Sequence, residues 1–544
     1  MKPGTILAVL VCLSIIPVAG HQGADDAYVR IAKAIEAFGE VFREVQVRYV
    51  DHVDPVDLVD VGINAMLEHL DPYSEYLIGD ENEDILNITT GSYVGVGIVV
   101  DQVDSALFIS DLRDGGSARE AGIRIGDRIV RVDTAYADSL DQDRLRSFTR
   151  GAAGTSLIMG LVRDGRSDTI TTVLERRALP LESIYVSERL TSSIGYVKLT
   201  RFTSTTRDEL LKAVDTLQRD GPLSGLILDL RDNPGGLLEA AIEVSELFVP
   251  QGSAIVSTRG RAYEESRLYA STNPPRFGDL PLAVLINEQS ASASEVVAGA
   301  IQDLDRGVII GKRSYGKGFV QSMLPLSSGS TALKLTTARY YTPSGRCIQR
   351  VDKRNGDSIT AQQYTTLRGR RVSARHGIDP DTVITDSVLP TILYNLEQSG
   401  AISSFATRFA APYRSLPFDL ADRKTIVDEF VKYLASVASS KHDPLFRTLA
   451  SLQSELERTT VNSTARSAMQ ALQQQVERDY LIQLRKHSAQ LREMLMYEIQ
   501  LRFSTGRAQY RSVLLDIPSV RTAHSVLRSP KYGALLAPIL PSDQ

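Results

Sequence analysis

Apolar residues recur at Ile31, Ile35, Phe38, Phe42, Val45 and Tyr49, in steps that alternate between four and three. That spacing gathers them into one stripe of a single helix. Asp54-Pro55 breaks the pattern, and a second helix is expected from Val56 to Leu70. Two helices bury little surface, so they are expected to pack on a following domain or a partner chain. From about residue 85 to 178 the chain turns rich in Gly, Val and Ile in short alternating runs, the mark of a β-rich unit. Between Gly195 and Thr342 the pattern is strand–helix–strand. Tyr196–Leu199, Leu226–Leu230, Leu282–Ile286 and Val308–Ile310 read as short apolar strands, with helices over Asp208–Gln218 and Glu239–Phe248. This is α/β organisation around a buried sheet. Residues 351–375 are polar, and Arg368, Arg370, Arg371 and Arg375 suggest a solvated surface insertion. Beyond Gly400 the chain reads as helix: Leu445, Leu449, Leu452 and Leu456 line one face, and Met469–Phe503 is expected as one long helix. No internal repeat is evident.

A length of 544 residues implies three or four domains. With 43% hydrophobic and 23% charged residues and a net charge of -5, the composition is that of a folded protein. It gives no argument for nucleic acid or for an anionic membrane surface. Lys2, the apolar run Ile6–Ile16 and the small residues Pro17-Val18-Ala19-Gly20 form a signal-peptide pattern, so export with cleavage near residue 20 is expected. That leaves Cys347 alone, without an internal disulfide partner. No His, Cys, Asp or Glu cluster has metal-ligand spacing, so no metal and no cofactor are expected.

Three stretches carry candidate chemistry. In Asn287-Glu-Gln-Ser-Ala-Ser-Ala-Ser-Glu-Val-Val-Ala-Gly-Ala300, a buried strand gives way to small residues and then to a helix beginning near Ser294. A serine there stands at the positive end of the helix dipole, beside unpaired N–H groups suited to a tetrahedral oxyanion. Serines also cap helices, so this stretch alone leaves both readings open. In Arg313-Ser-Tyr-Gly-Lys-Gly-Phe-Val-Gln321, Lys317 lies between two glycines. A lysine partly removed from water has a lowered pKa, and its neutral form can take a serine proton. Phosphate binding is the other use of such a segment, but the longer Gly-rich Walker pattern is missing. Leu228-Asp-Leu-Arg-Asp-Asn-Pro-Gly-Gly-Leu237 is a strand-to-helix turn whose Gly235 or Gly236 could supply one oxyanion donor, with Ala293 supplying another.

The order and spacing of these motifs resemble the carboxyl-terminal processing proteases, the tail-specific branch of peptidase family S41. Leu70-Asp-Pro-Tyr-Ser-Glu-Tyr-Leu77, Thr337-Ala-Arg-Tyr-Tyr-Thr-Pro-Ser-Gly-Arg346 and Gly377-Ile-Asp-Pro-Asp381 add to the resemblance, which spans residues 25 to 385. It implies a multidomain α/β protein: a ClpP/crotonase-like protease core with an inserted, β-rich PDZ domain, N-terminal helices and a C-terminal helical region. It also implies Ser292 as nucleophile, Lys317 as general base and Gln321 as the residue orienting the amine. Tyr93-Val-Gly-Val-Gly-Ile98 looks like a carboxylate-binding loop, with Val94, Gly95, Val96, Gly97 and Ile98 receiving a peptide C-terminus by strand addition. The expected division is a signal peptide over 1–20, N-terminal helices over 21–84 and a PDZ domain over 85–178. The protease core follows over 179–390 with 70–84, and a helical region over 391–544. Expected partners are protein substrates with flexible C-terminal tails, a regulatory or adaptor protein, and further copies of the chain through its helical termini. Nucleic acid is not among them. In a bacterium with two membranes the mature chain would be periplasmic. The rival readings are a catalytically silent PDZ scaffold, a Ser–His–Asp hydrolase using His376, and an acyl-CoA binder.

Overall fold

The computed structural model describes residues 22–538, apart from 79–80, 104–105, 164–167, 192, 327–330, 351–362, 374–375, 386–388, 414, 418–419, 421–424, 437–443, 459–462 and 504–505. The signal-peptide reading therefore lies outside the described residues, as do residues 351–362 and 374–375 of the Arg-rich insertion, Arg375 among them. The chain forms two units, the first ending at Tyr76. That first unit contains the helices Gln22–Arg48 and Pro55–Leu70. Asp54 caps the second, its carboxylate accepting from the Val56 N–H at 2.7 Å, with Pro55 at the first helical position where no N–H is needed. Ile31, Ile35 and Phe38 of the anticipated stripe stay exposed within this unit.

In the second unit, six strands order as Ile184–Arg189, Ile194–Leu199, Gly225–Asp229, Leu282–Ile286, Val308–Gly311 and Thr382–Val383. The first pair is antiparallel and the remaining pairs are parallel. Every residue of the four middle strands is buried, as continuous apolar runs require of a sheet covered on both faces. Successive side chains point to opposite faces. Val197, Leu199, Leu226, Leu228, Val284 and Ile286 meet the helices Thr206–Gln218, Leu238–Glu246 and Ala293–Asp303. Tyr196, Ile227, Ala283, Leu285 and Ile310 face the other way, onto Leu514, Val520, Ala523, Val526 and Leu527 near the C-terminus. The helix Pro518–Leu527 is thus the third layer of the core. Each fully buried Val or Leu there is worth about 1.5–3 kcal/mol.

A second sheet pairs Phe319–Pro325 with Thr331–Tyr341, which pairs in turn with Ala254–Gly260 and through it with Arg267–Ala270. The β-rich unit is an antiparallel sheet ordered Ile98–Val103, Ala106–Leu112, Arg128–Val132, Ser156–Val162 and Thr169–Glu175. The helix Gln142–Thr149 accompanies it, capped by Asp141. The ribbon of Ser92–Gly95 with Arg177–Pro180 frames its entry and exit. This unit rests on the C-terminal helices at Gly126, where an added Cβ would lie 2.1 Å from Thr407 Oγ1. Arg502 is buried there and donates to Thr407 Oγ1 at 3.1 Å and to the Ser403 carbonyl at 2.8 Å.

Three expectations need correction. The long C-terminal helix is two, Ser463–Lys486 and Ser488–Leu501, because His487 leaves helical geometry at φ -105°, ψ 22°. The helix Pro444–Arg458 packs through Phe446 and Leu449, while Leu445 and Leu452 remain exposed. Arg370 is buried rather than solvated: its guanidinium donates to Asp305 and Asp381, each at 2.6 Å. Arg368 and Arg371 are exposed, as a solvated insertion requires.

Candidate active site

The Leu282–Ile286 strand runs into a tight turn, Asn287 to Ala291, before the helix Ala293–Asp303 begins. Ser290 fastens this turn: its Oγ donates to the Leu230 carbonyl at 2.8 Å and accepts from the Asn287 N–H at 2.9 Å. Ser294 Oγ donates to the Asn233 carbonyl at 2.9 Å, and that carbonyl also accepts from the Ala291 N–H at 3.0 Å. Two of the three serines in the motif are therefore buried and occupied structurally. Ser292 between them is half-buried at the helix N-cap, with φ 55° and ψ -115°. A non-glycine residue held there costs about 1–3 kcal/mol, and such strain collects at functional sites.

Glu295 explains how that strained position is held, and it is the residue that sequence reasoning quoted without giving it a role. Its carboxylate is fully buried. Oε2 accepts the Ser292 N–H at 2.9 Å and the Lys317 N–H at 2.8 Å; Oε1 accepts the Ser314 hydroxyl at 2.6 Å and the Gly316 N–H at 2.7 Å. One oxygen thus ties the backbone of Ser292 to that of Lys317. Burial pushes the Glu295 carboxyl above its ordinary range, and the four donors oppose that shift. The signal was present as Ser292-x-x-Glu295, a capping-box pattern in which the glutamate reaches back to the N-cap N–H.

Lys317 is half-buried in the loop between Gly311 and Phe319. The flanking glycines fit for steric reasons. Gly316 has φ 88°, and a Cβ on Gly318 would meet the Gln349 N at 2.5 Å. Gln321 sits two residues into the following strand, opposite Thr336 beside a register shift, and its Nε2 donates to Thr336 Oγ1 at 3.3 Å. His376 also lies in this neighbourhood, with its backbone against Gly316.

The Asn233–Gly236 turn closes the site from the other side. Phe202 donates to the Gly235 carbonyl and accepts from the Leu237 N–H, both at 3.0 Å. A Cβ on Gly236 would lie 2.1 Å from the Phe202 carbonyl oxygen; one on Gly235 would lie 2.9 Å from Ser292 Cβ and 3.0 Å from the Ala293 N. The glycines let this turn press directly on the serine. The Gly235 N–H, however, donates to Asn233 Oδ1 at 2.9 Å. It is committed within the turn, which leaves the Gly236 and Ala293 N–H groups as the remaining candidates of the three. Ala293, as the first helical residue, has no intrahelical acceptor for its N–H.

Beneath this turn lies a second feature that sequence reading missed. Arg231 Nη2 donates to Asp229 at 2.5 Å, the Tyr196 hydroxyl donates to the same carboxylate at 2.5 Å, and Lys198 Nζ stands 3.8 Å away. Tyr510, from the C-terminal region, accepts from Arg231 at 3.1 Å and lies 3.2 Å from the Tyr196 hydroxyl. Burial would raise the Asp229 carboxyl, but Arg231 and then Lys198 outweigh it and hold the group below the usual carboxylate range.

In the β-rich unit, Gly95, Val96, Gly97 and Ile98 line a cavity of about 410 Å³ between the Ile98–Val103 strand and the Gln142–Thr149 helix. Val94 instead pairs with Ala178 in the neighbouring ribbon. Gly97, at φ 83°, lies so close to Gly116 that a Cβ would reach its Cα at 2.7 Å. The loop carbonyls turn inward, Val96 accepting from Ala118 at 3.1 Å and Gly97 from Arg113 at 2.9 Å.

Comparison with known proteins converges on one family. Residues 193–355 match peptidase family S41, residues 85–161 match the PDZ domain, and residues 392–527 match the C-terminal helical domain of probable PDZ-proteases. A carboxy-terminal-processing protease of Bartonella bacilliformis is 38% identical over 324 residues, 58% of this chain and 73% of that one. The carboxy-terminal processing protease CtpA of Bacillus subtilis is 32% identical over 58% of this chain and 66% of its own. A carboxyl-terminal-processing protease of Picosynechococcus is 33% identical over 52% of this chain and 68% of its own. The chain belongs to the carboxy-terminal processing proteases, serine peptidases of family S41 that carry a PDZ domain.

Proposed function

We propose that this protease cleaves by a Ser292–Lys317 dyad on substrates whose C-terminal tails its PDZ domain captures. The observation that carries the reading is the shared Glu295 oxygen, which anchors the backbones of the nucleophile and the base to one buried point. Neutral Lys317 takes the Ser292 hydroxyl proton as Oγ attacks the peptide carbonyl. The Gly236 and Ala293 N–H groups stabilise the resulting oxyanion, and Gln321 orients the lysine amine. Lys317 then returns the proton to the departing amine, leaving an acyl-enzyme that water hydrolyses. The PDZ loop Gly95–Ile98 receives the tail carboxylate, with the Ile98–Val103 strand extended by the peptide.

The same reading places the mature chain outside the cytoplasm, in the periplasm where two membranes exist, on the strength of the 1–20 segment. It divides the chain at about residues 20, 84, 178 and 390, and gives the exposed N-terminal helices and the C-terminal region a part in self-association or in docking an adaptor. The test of the chemistry is cleavage of an unstructured protein with an apolar C-terminus by the full chain, Ser292→Ala, Lys317→Ala and His376→Ala. The dyad predicts loss in the first two and most activity kept in the third. Loss in His376→Ala equal to that in Ser292→Ala would transfer the base role to the histidine.

A further inference from the structure

The cluster beneath the Asn233–Gly236 turn does more than pair charges, because it grips the backbone of Arg231 as well as its side chain. Asp229 Oδ1 accepts the Arg231 N–H at 2.9 Å, and Lys198 Nζ donates to the Arg231 carbonyl at 3.0 Å. The guanidinium donates to Asp229 at 2.5 Å and to the Tyr510 hydroxyl at 3.1 Å. Docking the C-terminal region would require the side-chain bonds; it would not require the backbone ones. Arg231 stands where the Gly225–Asp229 strand gives way to the turn. The next residue, Asp232, is left-handed at φ 62°. A non-glycine residue keeps that conformation only when its surroundings fix it. The Asp232 N–H donates to Asn287 Oδ1 at 2.9 Å, and Asn287 Nδ2 donates back to the Asp232 carboxylate at 2.7 Å. Arg231 and Asp232 thereby join the turn that carries Gly236 to the turn that leads into Ser292. Tyr510 lies 279 positions further on, in the helix Gly506–Ser512. That helix is fastened beside the Ile184–Arg189 strand: Arg507 pairs with Glu182, Arg511 stands 3.3 Å from Glu188, and the Tyr510 ring meets Tyr185 edge-on at 5.7 Å.

We infer that Tyr510 is a positioning residue for peptide hydrolysis: its hydroxyl, reaching Arg231 from the C-terminal region, fixes the turn that presents the Gly236 N–H to the oxyanion. The inference rests on the serine mechanism proposed above and adds to it a residue far from the reacting atoms in the chain. A hydrogen bond to a charged guanidinium is among the stronger ones, which suits a bond that must hold a turn in place. Oxyanion donors act only when their geometry is set before the charge develops, so loosening the turn penalises the transition state and spares substrate binding.

The experiment compares the full chain with Tyr510→Phe, which removes the hydroxyl and keeps the ring, on an internally quenched peptide ending Leu-Ala-Ala. A peptide aldehyde serves as the second probe. Ser292 Oγ adds to its carbonyl carbon, the C=O electron pair moves to the oxygen in the oxyanion position, and the hydroxyl proton passes to Lys317. Tyr510→Phe is expected to lower kcat about 10-fold, less than the roughly 10²-fold cost of removing an oxyanion donor outright. KM should change little, and inhibition by the aldehyde should weaken by the same factor as kcat/KM. Val526→Ala trims an aliphatic side chain of the same C-terminal layer; it should lower the urea midpoint and leave kcat and aldehyde inhibition as they were. In an Arg231→Lys background the tyrosine change should cost nothing further, because the bond it removes is already gone. Wild-type kcat and aldehyde inhibition in Tyr510→Phe would overturn the inference. So would an equal loss of kcat in Val526→Ala, or additive losses in the Arg231→Lys background. Cleavage by Ser292→Ala at the wild-type rate would overturn the serine mechanism itself, and the inference with it.

Discussion

At the residue scale, the account turns on Glu295. Every partner of its carboxylate is a donor: Ser292 N–H, Lys317 N–H, Gly316 N–H and the Ser314 hydroxyl. Glu295→Gln replaces one acceptor oxygen with an NH₂ that faces these donors, so at least one becomes unsatisfied at about 1–3 kcal/mol. The two backbones then part, and misplacing reacting groups by about 1 Å costs on the order of 10²-fold in rate. The expected result is a kcat lower by about that factor with KM little changed. A variant with wild-type kcat would remove Glu295 from the positioning of the dyad. Gly235→Ala is the steric counterpart, since its Cβ would press on Ser292 Cβ and the Ala291 carbonyl at a φ of 106°. It should abolish turnover and lower the urea midpoint; an active variant would show that the turn yields more readily than its contacts imply. Ser292 and Lys317 stood out as candidates because their motifs place them beside glycines and a helix start. Glu295 was legible only as half of a capping box. Gly235's commitment to Asn233 depends on a side-chain rotamer that no sequence pattern encodes.

At the element scale, periodicity located the core strands within a residue or two, and Leu282–Ile286 without any shift. Continuous apolar runs have few alternatives when a sheet is buried on both faces. The identity of the covering layer was not legible. Pro518–Leu527 and the Tyr510 hydroxyl reach strands some three hundred positions earlier in the chain, and local patterning carries no information about such pairing. His487 likewise breaks a helix that heptad-like spacing would continue. The Asp229 cluster makes this docking sensitive to acid. Because the folded carboxyl titrates below its unfolded value, its stabilisation is complete above the ordinary carboxylate pKa of about 4 and is lost as pH falls below it. Urea midpoints should therefore fall between about pH 5 and 3, and the fall should be shallower in Asp229→Asn. Identical acid limbs in the two proteins would mean that other carboxylates govern the transition.

At the scale of the whole molecule, the C-terminal region belongs to the catalytic fold as well as to the PDZ support. Leu514, Val520, Val526 and Leu527 complete the core, and Arg502 with Thr407 meets the PDZ domain at Gly126. A chain ending before Gly506 would expose the face formed by Tyr196, Ile227, Leu285 and Ile310, and is expected to be inactive and quickly degraded in limited proteolysis. A truncated chain as protease-resistant and active as the full one would reduce the tail to an accessory. The central claim is tested most directly by incubating the full protein with an unstructured substrate ending in apolar residues, beside Ser292→Ala and Lys317→Ala, and following cleavage by mass spectrometry. The account predicts fragments from the wild type and none from either variant. Fragments from Lys317→Ala at an undiminished rate would contradict it.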